Sequence, residues 1–316
     1  MVQLAGSAGR PVDAPAIALG AAPTPSLRPD ADRATAQNNA DARRSAITRT
    51  VIHVLLLAGA LVMVFPFYWM LATSLKSNAE SVAFPPTFFP TELHPENYPN
   101  ALAAAPFGRY FFNTALVAVC QVVGVLTVSS LAAFAFARME FFGKNALFMA
   151  FLATLMIPSE VTLIPNFVIV TKWLGWYNTY QAQIVPALGS VFAIFLLRQF
   201  FMGIPRELEE AAHIDGCSRF RFLWAIILPL STPALLTVAL LNFLGAWNSF
   251  LWPLLVTRSP EMRPIQLGLH VFNTEFGSRY GELMAASTLV IAPTVILYLV
   301  AQRYFIEGIA RSGLKG

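Results

Sequence analysis

Seven consecutive residues, Glu210-Ala211-Ala212-His213-Ile214-Asp215-Gly216, put acids, small methyls and a turn-forming glycine into a short polar interruption between long apolar stretches. Ile226, Leu228 and Pro229 follow before the chain becomes apolar again. This is recognition chemistry. Carboxylates accept charge-assisted hydrogen bonds from a basic or amide partner. Alanine methyls let a second backbone come close, and Gly216 supplies a left-handed turn. A more dispersed group lies inside the apolar stretches: Asn113, Gln121, Glu160, Asn166, Asn242, Trp247 and Asn248. Polar side chains at membrane depth are costly and face protein or a wet cavity. Amides with an indole suit a neutral sugar, by hydrogen bonding and stacking. Packing between helices with internally satisfied amides is the competing reading for each Asn. Trp247-Asn248 is the strongest exception. Glu160, just after Pro158, has three possible uses: closing a gate, pairing with a base, or binding substrate. A proton relay there is a fourth.

The elements that position the first group are short. Residues 206–214 read as a helix with Pro205 in its first turn. Glu207, Glu209 and Glu210 sit at the positive end of that helix. Gly216 then turns the chain, Ser218 starts a second helix carrying Arg219 and Arg221, and Pro229 marks the return to apolar sequence. No catalytic set converges anywhere. His53, His94, His213 and His270 are isolated, so no metal site is expected. Cys120 and Cys217 show no disulfide or metal spacing.

Composition places these elements in a membrane. Hydrophobic residues are 56% and charged residues 12% of the chain, against about 25% charge in a soluble domain. The net charge of +4 is spread along span flanks and does not point to nucleic acid. Six stretches approach the roughly 20 residues a crossing needs: about 51–73, 111–137, 146–170, 184–203, 231–256 and 283–305. The third carries Pro158 and Pro165, so it must pack against neighbours or line a wet cavity. Residues 1–45, rich in Ala, Pro, Asp and Arg, read as a disordered cytoplasmic tail and not as a secretory signal. Lys and Arg concentrate in that tail, near 138–144 and 206–221, and at the C-terminus. The positive-inside rule puts those regions and both termini in the cytoplasm. Trp173 and Trp176 read as interfacial anchors, with sugar stacking as the weaker alternative. The stretch 74–110, with Pro85, Pro86, Pro90, Pro95 and Pro99, reads as a partly extended outer arm, and 257–282 is the other exposed stretch on that side.

The pattern Glu-Ala-Ala, Gly four residues on, then Ile-x-Leu-Pro after nine more, resembles the coupling-loop signature of ABC importer permeases. Glu210, Ala211, Ala212, Gly216, Ile226, Leu228 and Pro229 match it, and Asp215 fits its extended form. The run from Leu131 to Arg138 with Phe141-Phe142-Gly143-Lys144, together with Met156-Ile157-Pro158, Ile164-Pro165, Trp247-Asn248 and the ending Gly313-Leu314-Lys315-Gly316, is similar to the carbohydrate-uptake permeases of the maltose-system G-subunit type. The resemblance covers about residues 47–316. It implies an all-α type I importer permease fold in a bacterial cytoplasmic membrane, with six transmembrane helices over 46–316 and a coupling helix at about 205–217. It implies a second six-helix permease, two cytoplasmic ATPase subunits, an extracytoplasmic solute-binding protein, a sugar substrate and surrounding lipid. Glu210, Ala211, Ala212, Asp215 and Gly216 are the implied ATPase contacts, supported by Ile226, Leu228 and Pro229, with Gly313 to Gly316 as a secondary contact. No G-x-x-x-x-G-K-[ST] occurs in the chain. It lacks that phosphate cradle, so ATP and magnesium are expected on the partner ATPase, no cofactor on this chain, and no enzyme activity. A phosphorylated solute such as glycerol-3-phosphate, and an ion-coupled secondary transporter, are the alternatives. The transporter is poorly served by a single copy of six spans with one intramembrane acid.

Overall fold

The computed structural model describes residues 28–274 and 277–312 and divides the chain into two units, Met1–Val64 and Phe65–Gly316. The described part of the first unit is the start of one helix, Arg28–Ser74. That helix enters the stretch expected to be a disordered tail. No Pro or Gly occurs from Asp30 to Ala58, and Ala, Arg and Gln favour helix, so helix extends back to Arg28. The rest of the expected tail lies outside the described residues. Ile47–Ser74 is long and apolar enough to cross a membrane. Its apolar side chains are exposed from Val51 through Phe65, as a lipid-facing span requires.

The axis of the second unit is Phe107–Arg138, a helix of 32 residues and hence about 48 Å long. Val191–Met202 and Thr232–Trp247 pack along it. Their contact is close because the residues there are small: Ala133, Ala193 and Ala234 share a core with Leu197, Phe201 and Ile227. At Gly124 a β-carbon would lie 2.4 Å from Leu188, so only glycine allows that approach without a shift. A second core gathers Phe107, Tyr110, Ile265, Phe272 and Ala285, near the opposite end of the axial helix.

Three helices are single crossings by length and hydropathy: Ile47–Ser74, Phe107–Arg138 and Tyr280–Val300. The other expected spans are bent pairs. Lys144–Thr154 and Ser159–Trp173 meet at 97°, Tyr180–Ala187 and Val191–Met202 at 42°, and Arg219–Leu230 and Thr232–Trp247 at 80°. Counting each pair once gives up to six spans. Proline explains the first and third breaks, at Pro158 and Pro233, since it lacks an N–H and its ring collides with the carbonyl four residues back; the second falls at Leu188-Gly189-Ser190, where Ser190 caps the next helix. Pro158 stands directly before Ser159, so 146–170 is not one straight helix. The fifth span is also displaced from 231–256. Its helix ends at Trp247, and Leu251–Val256 is a separate element with Pro253 in its first turn.

Among the described residues the fold is all-α apart from a two-residue antiparallel ladder between Asn273–Thr274 and Gly277–Ser278. The stretch 74–110 is more folded than its prolines suggested. Glu80 accepts from Thr87 Oγ1 at 2.7 Å, and from Thr91 N and Oγ1, each at 3.0 Å. Lys76 is buried, donates to the Thr87 carbonyl and lies 4.6 Å from the Trp69 ring. Asn97–Ala103 adds a helix that packs on Tyr280–Ser312.

Candidate functional site

Residues 205–231 form an elbow. The helix Glu207–Ile214 has Arg206 as N-cap and Glu207, Glu209 and Glu210 in its first turn. Its far end closes with paired bonds: Gly216 N donates to His213 O at 3.0 Å and Cys217 N to Ala212 O at 2.9 Å. Gly216 takes φ +71°, the left-handed conformation this cap demands. Nothing lies within 4 Å of where its β-carbon would be, so the backbone angle alone requires glycine. Ser218 caps the next helix, Arg219–Phe222, accepting from Arg221 N at 3.3 Å.

The two alanines have different jobs. Ala212 is buried in the elbow's own core beside Phe201, Ile204 and Phe222, so its small size serves internal packing and not a partner's approach. Ala211 is exposed, as are Glu207, Leu208, Glu210, Ile214 and Asp215. Ile214 is 87% exposed, a large apolar side chain offered outward. Ile226 and Leu228 pack against the core, while Pro229 is exposed. Residues Leu223–Ile227 form a wide π-turn, which relieves the clash between the Pro229 ring and the carbonyl four residues before it.

Arg138 clamps this elbow to the membrane helices. Its side chain is 3% exposed and its Nη1 lies 3.3 Å from Glu209 Oε2. Its Nη2 donates to the carbonyls of Phe201 and Ile204, where the chain leaves Val191–Met202. One guanidinium therefore joins the axial helix, the preceding helix end and the elbow. A groove of about 520 Å³ lies alongside, lined by Arg138, Glu209, Glu210, His213, Ile214 and Arg219 among others. The sequence pattern marked Arg138 and Glu209 only as a flank and a helix-start acid. Their pairing spans 71 positions, and no local signal announces it.

Three of the dispersed polar residues meet elsewhere. Gln121, Asn166 and Asn242 line a cavity of about 450 Å³, joined by Gln183, Ser249 and Trp252. Gln121 Nε2 donates to Gln183 O at 2.9 Å, Asn242 Nδ2 to Val238 O at 3.2 Å, and Trp252 Nε1 to Ala182 O at 2.8 Å. Sequence reasoning missed Gln183, Ser249 and Trp252. Asn242 and Gly245 lie one turn apart on Thr232–Trp247, whereas Ser249 and Trp252 follow the break after it, so no single helical stripe announces the last two.

The remaining candidates stand apart from the cavity lining. Asn113 is fully enclosed: it donates to Glu261 O and Arg263 O at 2.8 and 2.9 Å and accepts from Tyr180 at 2.7 Å. Its amide is internally satisfied and ties the axial helix to 261–263. Trp247 is buried, stacks on Phe243 and donates Nε1 to Val290 O at 3.1 Å. The expected exception is thus a packing residue in this conformation. Asn248 is exposed and bonds Leu244 O and Gln266. Glu160 is exposed in the first turn of Ser159–Val168, with Ser159 Oγ at 3.2 Å. Trp173 is 77% exposed, while Trp176 packs against the cluster of Val170, Ala182 and Val256. Gly313 to Gly316 lie outside the described residues.

Comparison with known proteins matches residues 125–311 to the family model described as binding-protein-dependent transport system inner membrane component. The arabinooligosaccharide transport system permease protein of Halalkalibacterium halodurans is 38% identical over 81% of this chain and 93% of its own length. The diacetylchitobiose uptake system permease protein of Streptomyces coelicolor is 35% identical over 80% and 92%. The sn-glycerol-3-phosphate transport system permease protein of Rhizobium meliloti is 34% identical over 84% and 97%. A solved bacterial ABC transporter involved in the import of the acidic polysaccharide alginate contains a chain that superposes with TM-score 0.74 at 27% identity, covering 83% of this chain and 98% of that one. The ion-coupled transporter reading gives way to these matches. The chain is a transport permease of the membrane, and it belongs to the family of binding-protein-dependent transport system inner membrane components.

Proposed function

We propose that this chain is one half of the membrane pathway of an ATP-driven sugar importer. A second six-helix permease completes the path. An extracytoplasmic binding protein delivers the sugar, and two cytoplasmic ATPase subunits hold ATP and magnesium. The elbow faces the cytoplasm with both termini, as the distribution of Lys and Arg favours. Its exposed row of Glu210, Ala211, Ile214 and Asp215 seats on an ATPase subunit. ATPase closure pushes the elbow, Arg138 passes the displacement to the axial helix, and the permease pair turns from inward-facing to outward-facing. Hydrolysis and product release reset it.

The observation that carries this reading is the glycine-capped elbow, bearing the Glu-Ala-Ala and Ile-x-Leu-Pro signature and tied by Arg138 to the pathway helices. Sugar is favoured by relatives named for arabinooligosaccharide and diacetylchitobiose transport. The test is affinity purification of the tagged chain from its native membrane, followed by reconstitution in liposomes. A second permease and an ATPase should co-purify, and oligosaccharide uptake should need both binding protein and ATP. Solute pumping by the purified chain alone, or labelling that places 206–220 outside the cell, would overturn the reading.

A further inference from the structure

We propose that the cavity between the axial helix, Tyr180–Ala187 and Thr232–Trp247 binds an uncharged, hydroxyl-rich ring, and that this chain therefore contributes directly to selecting a neutral sugar over an anionic solute. The proposal rests on the importer reading and specifies its substrate class. Its first support is the polar inventory of the walls. Gln121, Asn166, Gln183, Asn242 and Ser249 bring amides and a hydroxyl, and no lining residue carries a charge. Amides and hydroxyls both donate and accept, as sugar hydroxyls do. A phosphate or uronate entering such a cavity would lose hydration without a cation to replace it.

Gln183 sharpens the choice. It is 2% exposed, and its Nε2 donates to Met262 O at 3.1 Å, which fixes the nitrogen end of the carboxamide. Its Oε1 has no hydrogen-bond partner. That oxygen is itself closed off, but Gln121 and Asn242 on the same walls also turn their nitrogens to protein carbonyls, so the fitting ligand is one that donates to their oxygens. Sugar hydroxyls donate, whereas ionised phosphate and carboxylate oxygens only accept. The Asn166 side chain, also on the cavity lining, makes no hydrogen bond among the described residues and keeps its amide for a ligand. Trp252 supplies an aromatic wall held in place by its bond to Ala182 O, as stacking against a pyranose or furanose face requires. The volume of about 450 Å³ falls in the range of small-ligand pockets.

The experiment uses the complete complex in nanodiscs without binding protein, so that the pathway's own preference is read. Tritiated arabinotriose, diacetylchitobiose, sn-glycerol-3-phosphate and an alginate pentasaccharide are compared by equilibrium binding. A neutral sugar should bind saturably and at least tenfold more tightly than either anion. Asn166→Leu and Asn242→Leu should each weaken that binding about tenfold. Asn242→Lys should reverse the order by admitting an anion. Binding-protein-stimulated ATP hydrolysis, measured on every variant, shows that the complex is assembled. Its absence in the wild type sinks the importer reading itself, separately from the cavity. Intact stimulated hydrolysis with tighter anion binding, or with neutral-sugar binding unmoved by both leucine variants, overturns the cavity's assignment. The exposed position of Asn166 makes it the variant least able to disturb folding.

Discussion

The elbow at 205–231 and the amide cavity differ in how the chain builds them. The elbow is nearly continuous in sequence, and its geometry follows from residues a few positions apart. Gly216 closes the helix that Glu207 begins, and Ser218 starts the next. The cavity draws Gln121, Asn166, Gln183, Asn242 and Trp252 from five separated places. A docking surface can be specified locally because its partner reads one exposed face. A cavity for a small solute must surround it, so its walls come from several helices. The two regions should therefore respond differently to mutation: the elbow through backbone angles and one long-range clamp, the cavity through individual side-chain identities.

The clamp is where the elbow stops being local, and it should give the largest effect. Arg138→Met removes a donor from the Phe201 and Ile204 carbonyls and leaves Glu209 without its cation. Breaking a buried pair on one side costs about 3–5 kcal/mol. Glu209 is partly exposed, so the lower end of that range is expected. Thermal unfolding of the complex in nanodiscs should show the loss. Uptake should fall more than ATP hydrolysis, because the elbow would move without drawing the axial helix along. An unchanged ratio of uptake to hydrolysis in a folded complex would confine Arg138 to a packing role.

Gly216→Val comes next and tests the local half of the comparison. A β-branched residue at φ +71° costs about 1–2 kcal/mol while meeting no neighbour. Membrane insertion should survive. Re-aiming the elbow should uncouple, so that ATP is hydrolysed with uptake reduced tenfold or more in reconstituted liposomes. Normal coupling in this variant would show that the elbow's seating tolerates a shifted turn.

Legibility followed the same division. Periodicity and composition made the apolar spans readable, and the signature with its helix-ending glycine made the elbow readable, because both depend on neighbours in sequence. Three bends were not placed. The prolines were visible, but the angle through which the chain departs depends on what it packs against. Among the polar residues, sequence could count Asn113 and Asn242 equally. Only the folded chain shows Asn113 enclosed by the 261 and 263 carbonyls and Tyr180, and Asn242 on a cavity wall. Trp247 misled for a related reason. An indole in an apolar run suits stacking on a sugar or on Phe243 alike, and residue type does not separate the two.

Glu80 gives the smallest effect and probes a region between these extremes. Its partners Thr87 and Thr91 are seven and eleven positions away, local in sequence yet carrying no recognisable pattern. The Thr87 hydroxyl bond, with help from Thr91 and Lys76 against some desolvation, holds its carboxyl below the free glutamate value of 4.5. A lowered folded pKa means that the stabilising contribution is complete above the unfolded value and disappears as pH falls through the folded one. Glu80→Gln should therefore make the 74–110 arm more susceptible to limited proteolysis at pH 6–7, by a small margin because Glu80 is largely solvent-screened. The difference from wild type should close as pH drops below 4.5. A gap that persisted at low pH would assign the arm's order to shape and not to the carboxylate, and would leave local polar contacts without a part in setting its path.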